Sequence, residues 1–294
     1  MRFMPSAPPS SSSRPGLTRF ERITRCYDDE IYPIFDHWFT LPLVAALRGP
    51  ELAKTQWKTA RVLDFGAGAG HLTAAFAASK PATAVAVEPS GAMLSLLRNN
   101  EAATAVSTMV RAGAPATPLP FANNSFDVVL GRARADAGVD PWLSRAELLR
   151  VCRPGGRLAL CCALSDTWRE PLELLNETLQ KHGHQGARES LRAYKNRFPA
   201  ADAVATQLQK EGWTVKDVMV THKQVLFRSG REFFFSSLIE LGPLRIWKAL
   251  VGKGEPLQAV FADVKDAIDT YYAGRPFAVT VGIATITGNK PKQP

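Results

Sequence analysis

The chain has no apolar run approaching the ~20 residues that a membrane-crossing helix needs and only four cysteines, Cys26, Cys152, Cys161 and Cys162. None stands in a C-x-x-C pair, so the spacing gives neither a zinc ribbon nor a dithiol redox motif. Three lie in or beside expected core elements, where a free thiol acts as a small hydrophobe, and a reducing, cytoplasmic setting is the default. His182, His184 and His222 lack metal-ligand spacing, so no metal is expected. Acids are missing altogether from the first 20 residues, which hold three arginines and a Pro/Ser-rich run from Pro5 to Pro15. This reads as a disordered tail, 1–20. The alternative is a mitochondrial or other organelle-targeting segment, although the prolines oppose the amphipathic helix that such segments form.

What charge excess there is lacks a focus. The net +9 divides into +2 over residues 1–60, +3 over 61–163 and +4 over 164–294. The basic clusters Arg145/Arg150/Arg153/Arg157 and Arg188/Arg192/Lys195/Arg197 read as solvated helix faces, with a nucleic-acid or acyl-carrier contact as the alternative. A length of 294 residues, 46% hydrophobic and 21% charged, fits one large globular α/β unit with insertions.

The most informative segment is Ala60-Arg-Val-Leu-Asp-Phe-Gly-Ala-Gly-Ala-Gly-His71. It reads as an apolar strand, an acid, a turn with glycines at alternate positions and a helix start. Such a turn lets backbone approach a ligand closely, and the helix start offers free N–H groups to the ligand's polar end. The spacing is not the dinucleotide fingerprint G-x-G-x-x-G, whose third glycine would fall on His71. Three more segments follow in order. Thr83–Ser90 is a buried strand ending in Glu88-Pro89. Pro118–Leu130 turns into a third strand through Leu-Pro-Phe and Asn-Asn-Ser-Phe-Asp. Leu148–Leu160 is a helix end, a Pro-Gly-Gly turn and a fourth strand.

Over residues 60–163 these four segments together resemble the class I S-adenosylmethionine (SAM)-dependent methyltransferases, in particular the small-molecule enzymes of the methyltransferase 11 type. The resemblance implies a Rossmann-like, mostly parallel seven-stranded sheet with helices on both faces, an antiparallel last strand and helical lid insertions. It implies SAM as cofactor. It places the turn Gly66, Ala67, Gly68 and Gly70 against the methionine part, with Asp64 on the ammonium. It places Glu88 on the ribose hydroxyls and Met93 on the adenine ring, and counts Pro89 among the cofactor-binding residues. A carboxylate suits two hydroxyls because it accepts from two donors at once. The family often has an acid before Leu-Pro-Phe for the adenine amino group. Here the run Ala112–Phe121 has none, so that contact falls to the backbone near Ala114. Arg132 stands after the third of these strands, where a residue commonly faces SAM or substrate. Tyr27-Asp28 matches a Tyr-Asp that folds over the cofactor in similar proteins. Tyr27 itself, with Tyr32, His37 and Trp38 on the same run, gives the candidate substrate residues.

Residues 21–58 read as a helical N-terminal lid, because Tyr27, Ile31, Ile34, Phe35, Trp38 and Phe39 recur at helical intervals. A second helix is expected to begin at Leu41. The methyltransferase domain is expected over 59–294, with helical excursions at about 164–199 and 228–273, the latter as two helices. Phe233-Phe234-Phe235 reads as a packed helix face, with an apolar acceptor pocket as the alternative.

SAM chemistry needs alignment and exclusion of water more than a dedicated base, and no catalytic motif is visible. The reading is methyl transfer to an oxygen, nitrogen or carbon of a small or carrier-bound molecule. Two others stay open: a degenerate methyltransferase fold serving in binding or assembly, and an RNA methyltransferase.

Overall fold

The computed structural model describes residues 17–105, 107–110, 118–133 and 144–292; the expected contact at Ala114 and the loop after Ala133 lie outside them. The chain enters through α1 (Arg19–Cys26), a wide π-type turn of helix at Tyr27–Asp36 and α2 (His37–Arg48). Thr18 and Glu21 form a reciprocal capping box at the start of α1. The core then alternates: β1 (Arg61–Phe65), α3 (His71–Ala77), β2 (Thr83–Val87), α4 (Gly91–Asn99), α5 (Glu101–Thr104), β3 (Ser107–Val110), β4 (Phe126–Ala133), α6 (Arg145–Val151) and β5 (Cys152–Ala163). The helices α7 (Arg169–Lys181), α8 (Gln185–Lys195) and α9 (Val204–Lys210) precede β6 (Thr214–Phe227). Four more follow: α10 (Gly230–Phe235), α11 (Ser237–Leu241), α12 (Leu244–Val251) and α13 (Glu255–Tyr271). They lead to β7 (Phe277–Asn289).

The seven strands lie in the order β3-β2-β1-β4-β5-β7-β6. Neighbours from β3 to β5 are parallel, and β7 runs antiparallel to both β5 and β6. The parallel strands carry little polar alternation because both sheet faces are covered. One face packs under α3, α7, α10 to α13 and the entry helices, and the other under α6 and α9. Strand order reverses between β1 and β4, which opens a crevice at their carboxyl ends.

Three local expectations need correction. The entry segment is not broken at Leu41, since Leu41-Pro42 lie inside α2. The irregularity comes earlier, around Pro33, whose missing N–H is accommodated in the wide turn. The Pro154-Gly155-Gly156 stretch belongs to β5 rather than to a turn before it. Gly155 (φ 73°) forms a bulge where the β4 register shifts, and the bulge is tied to Lys290 by the Gly155 N–H (2.9 Å). The first late helix is three short ones, because Ser236 turns extended to cap α11 and Gly242-Pro243 interrupts the next turn.

The entry helices are built into the main core. Phe35, Phe39 and Leu43 are fully buried, and Phe35 stacks on Trp168 at 5.1 Å. No helix among the described residues is long and apolar enough to cross a membrane.

Candidate functional site

Strand β1 ends at Asp64-Phe65, and the chain then turns through Gly66 (φ 75°), Gly68 (φ 60°) and Gly70 (φ 86°) into α3. The turn is strapped to the end of β2: Gly66 N–H and Ala67 N–H both donate to Val87 O, at 2.9 and 3.2 Å. Just beyond, the buried Glu88 carboxylate accepts from Gly68 N–H (2.9 Å) and Ser90 N–H (2.8 Å). One side chain thereby fixes the glycine turn against the start of α4. Asp64 is buried and accepts from Thr73 Oγ1 at 2.5 Å through Oδ2. Its Oδ1 has no hydrogen-bond partner among the described residues. Burial, only partly offset by Thr73 and Arg132, pushes its pKa up to about 6.

The roof of the crevice comes from the entry helices and β4. Arg132 is buried, pairs with the buried Asp36 (Nη1 to Oδ2, 2.8 Å) and donates to Thr40 Oγ1 (2.9 Å). Tyr27 OH also donates to Asp36. A Cβ on Gly68 would collide with the Arg132 guanidinium and come within 3.8 Å of Tyr27 OH. Burial works to lower the Arg132 pKa. Attraction by Asp36, and then by Asp64 and Glu88, outweighs it and raises the pKa above the ordinary arginine range. His71 stacks on Tyr32 at 3.7 Å, with Nε2 3.4 Å from Asp28. Its pKa is lowered, mainly by burial, with Asp28 opposing.

A family model described as "Methyltransferase domain" matches residues 63–160. A demethylmenaquinone methyltransferase of Mycobacterium sp. (strain KMS) is 34% identical over 167 residues, 52% of this chain and 67% of that protein. The chain belongs to the class I SAM-dependent methyltransferases. Its cofactor is SAM. A second demethylmenaquinone methyltransferase, from Clavibacter sepedonicus, is 42% identical over 101 residues, covering 34% of this methyltransferase and 40% of its own length. Among solved structures, the YcgJ protein of Bacillus subtilis shares the fold with a TM-score of 0.54 at 18% identity, over 87% of this chain and 100% of its own. A SAM-dependent methyltransferase from Geobacter sulfurreducens in complex with S-adenosyl-L-homocysteine superimposes with a TM-score of 0.50 at 16% identity, over 93% and 99% of the two chains.

The fold of this methyltransferase gathers Asp64, the turn Gly66–Gly68, Glu88, Arg132 and Tyr27 at the carboxyl ends of β1, β2 and β4; Pro89 follows Glu88 directly in the chain. Tyr32 adjoins through its stack on His71 and its tilted contact with Tyr27 (6.3 Å). Met93 is buried in the first turn of α4. Gly70 stands apart in what its missing side chain allows: a Cβ there would strike Leu97 and Ala103, so this glycine admits the packing of α3 against α4 and α5. His37 contacts the Tyr32 carbonyl through Nδ1 (3.0 Å), and Trp38 leans on Phe35 (6.1 Å); both serve the packing of the entry segment.

Asp36 and Thr40 are the residues that sequence reasoning missed. Their signal was a lone acid, with a threonine one turn on, inside an otherwise apolar helical run. Phe233 is fully buried against Phe227, Trp247 and Phe277, whereas Phe235 is exposed, so the triple phenylalanine is chiefly a packed helix face. Cys26, Cys152, Cys161 and Cys162 are free, with the Cys152 and Cys161 thiols pushed up to about 12 by burial. No cluster able to hold a metal is found among the described residues.

Proposed function

We propose that this crevice holds SAM and that the acceptor is a small, largely apolar molecule received under the entry helices. The observation that carries the cofactor assignment is the buried Asp64 carboxylate with an unpartnered Oδ1, at the strand end where the glycine turn begins. A buried carboxylate without a partner is costly, and the ammonium of a bound amino-acid group relieves that cost. In this reading Gly66–Gly68 lie along the methionine part. Glu88 keeps its two backbone bonds and accepts from ribose hydroxyls with its remaining lone pairs. Met93 flanks the adenine. Gly70 acts through helix packing.

SAM, when bound, supplies a methyl group already activated by its sulfonium. The residues of the chain then have to bind, align and exclude water. Asp64 and Glu88 anchor two ends of the cofactor, and Tyr27, Tyr32 and His71 close the side toward solvent.

Support for an apolar acceptor comes from what lies behind the entry helices, where the packed, buried rings of Phe35, Trp168, Trp247 and Phe233 follow one another at 5.1–6.2 Å, so that a molecule received there meets an apolar surround. The Trp168 and Trp247 Nε1–H groups are buried and meet no acceptor among the described residues. Relatives named for demethylmenaquinone make a quinone- or hydroquinone-type ring compound the first class to test. The test is calorimetric SAM binding followed by transfer of labelled methyl from SAM to a panel of hydroxylated aromatics and hydroquinones. SAM binding with label on a panel member is expected. No SAM binding overturns the crevice assignment, and label only on polar metabolites or on RNA overturns the acceptor class.

A further inference from the structure

The roof of the crevice contains a buried ion pair that ordinary packing does not require. Asp36 and Arg132 lie 96 residues apart in sequence and both are buried. Two more entry-segment groups are spent on them, the Tyr27 hydroxyl on Asp36 and the Thr40 hydroxyl on Arg132. Burying such a pair gains little net stability over an apolar pair of the same shape. Its geometry has one evident product: the other guanidinium nitrogen, Nη2, is held over Gly68, where a β-carbon would collide with it. Asp36 grips Nη1, so the guanidinium presents Nη2 to the glycine turn.

The methionine part of SAM carries two charges besides the sulfonium. In the proposed site the ammonium lies on Asp64, which leaves a carboxylate with no assigned cation. A guanidinium suits that role because its fork of donors matches two carboxylate oxygens.

Resting on the proposed SAM site, we infer that Arg132 clamps the methionine carboxylate and that Asp36 is a positioning residue that aims it, with Tyr27 and Thr40 fixing the pair. The entry segment thus contributes to cofactor selection through charge, in addition to covering the site. The arrangement also places one cation among Asp36, Asp64 and Glu88, so the crevice is electrostatically ready for an amino-acid headgroup.

The experiment compares two ligands that differ in the part Arg132 would touch. S-adenosyl-L-homocysteine carries the amino acid group, whereas 5′-methylthioadenosine keeps adenine, ribose and sulfur without it. Calorimetry on the full chain should show homocysteine-derivative binding weakened about 10- to 100-fold in Arg132→Met, with methylthioadenosine affinity unchanged. Asp36→Asn should shift the same ratio in the same direction, by about 3- to 10-fold. Thr40→Val should do so more weakly. Near-ultraviolet circular dichroism checks that each variant keeps its packing, and hydrogen exchange over 27–48 reports the entry segment directly. Should Arg132→Met prove unfolded, Arg132→Lys serves: it keeps the charge, loses the fork and should give a partial fall in the ratio. Tighter binding of both ligands in the Arg132 variants would overturn the inference, making Arg132 an obstruction. An unchanged ratio with normal packing would overturn it as well. If neither ligand binds the unaltered protein, the SAM-site reading itself fails.

Discussion

At the scale of single residues, the site is a set of charges whose cost is met by what they hold. Glu88 carries two backbone N–H bonds that join the glycine turn to α4. Glu88→Ala should therefore lose SAM affinity by about 2–4 kcal/mol and loosen the turn as well. Glu88→Gln, which can still accept, should lose less, and calorimetry with both variants separates the two effects; equal affinities in all three proteins would disprove the ribose assignment. Gly68→Val forces a branched side chain into φ 60° and against Arg132. SAM binding should disappear in a protein whose far-ultraviolet circular dichroism is unchanged. Asp64 gives a pH signature. Its folded pKa, raised by burial to about 6 from 3.8, means the folded chain holds a proton that the unfolded chain releases. Its contribution to stability is full below about pH 4 and is lost as pH rises through about 6, on the order of 3 kcal/mol. Asp64→Asn should flatten that part of the stability–pH curve without cofactor while weakening SAM binding at pH 7. A variant with the original pH slope would remove Asp64 as its source.

At the scale of elements, the entry helices behave as part of the core. Phe35 is fully buried, stacked on Trp168 and 5.3 Å from Phe39. Removing the whole segment would expose that aromatic wall, so a point change is the sharper test. Phe35→Ala should cost about 3–5 kcal/mol. It should raise hydrogen exchange across 27–48 while β1, β2 and β4 stay protected, and it should reduce methyl transfer more than SAM binding. Protection lost uniformly over the chain would mean that the segment has no separate role. These elements also show what can be read from sequence. The run from β1 through the glycine turn to α3, and Glu88 at the end of β2, were legible because each is specified by neighbours within a few residues: apolar strand, acid, glycines, helix. Asp36 was not, because its meaning depends on Arg132, which tertiary folding brings to it from 96 residues away. Gly70 was legible as a turn glycine, but its contact with Leu97 and Ala103 depends on how three helices pack. The bulge at Gly155 and the interruptions at Ser236 and Gly242-Pro243 were misread for the same reason. A glycine or proline signals a departure from regular structure without saying whether a turn, a bulge or a cap results.

At the scale of the whole molecule, the crevice joins the central sheet to the entry segment. Its floor is the carboxyl ends of the interior strands β1 and β2, and its roof is the entry segment tied through Arg132 to β4. A cofactor that touches both should stabilise them as one cooperative unit. Binding linkage gives about 2.7 kcal/mol when SAM is present at about one hundred times its Kd. That amount should raise the melting temperature by several degrees, as a single shifted transition. Glu88→Ala should abolish the shift at the same SAM concentration. Asp36→Asn should reduce it, because the roof then contributes less to holding the headgroup. Differential scanning calorimetry distinguishes the outcomes. A second transition that SAM leaves unmoved, matched by hydrogen exchange to residues 17–48, would show that the entry helices unfold independently. In that case neither Tyr27 nor Asp36 could be acting on the cofactor.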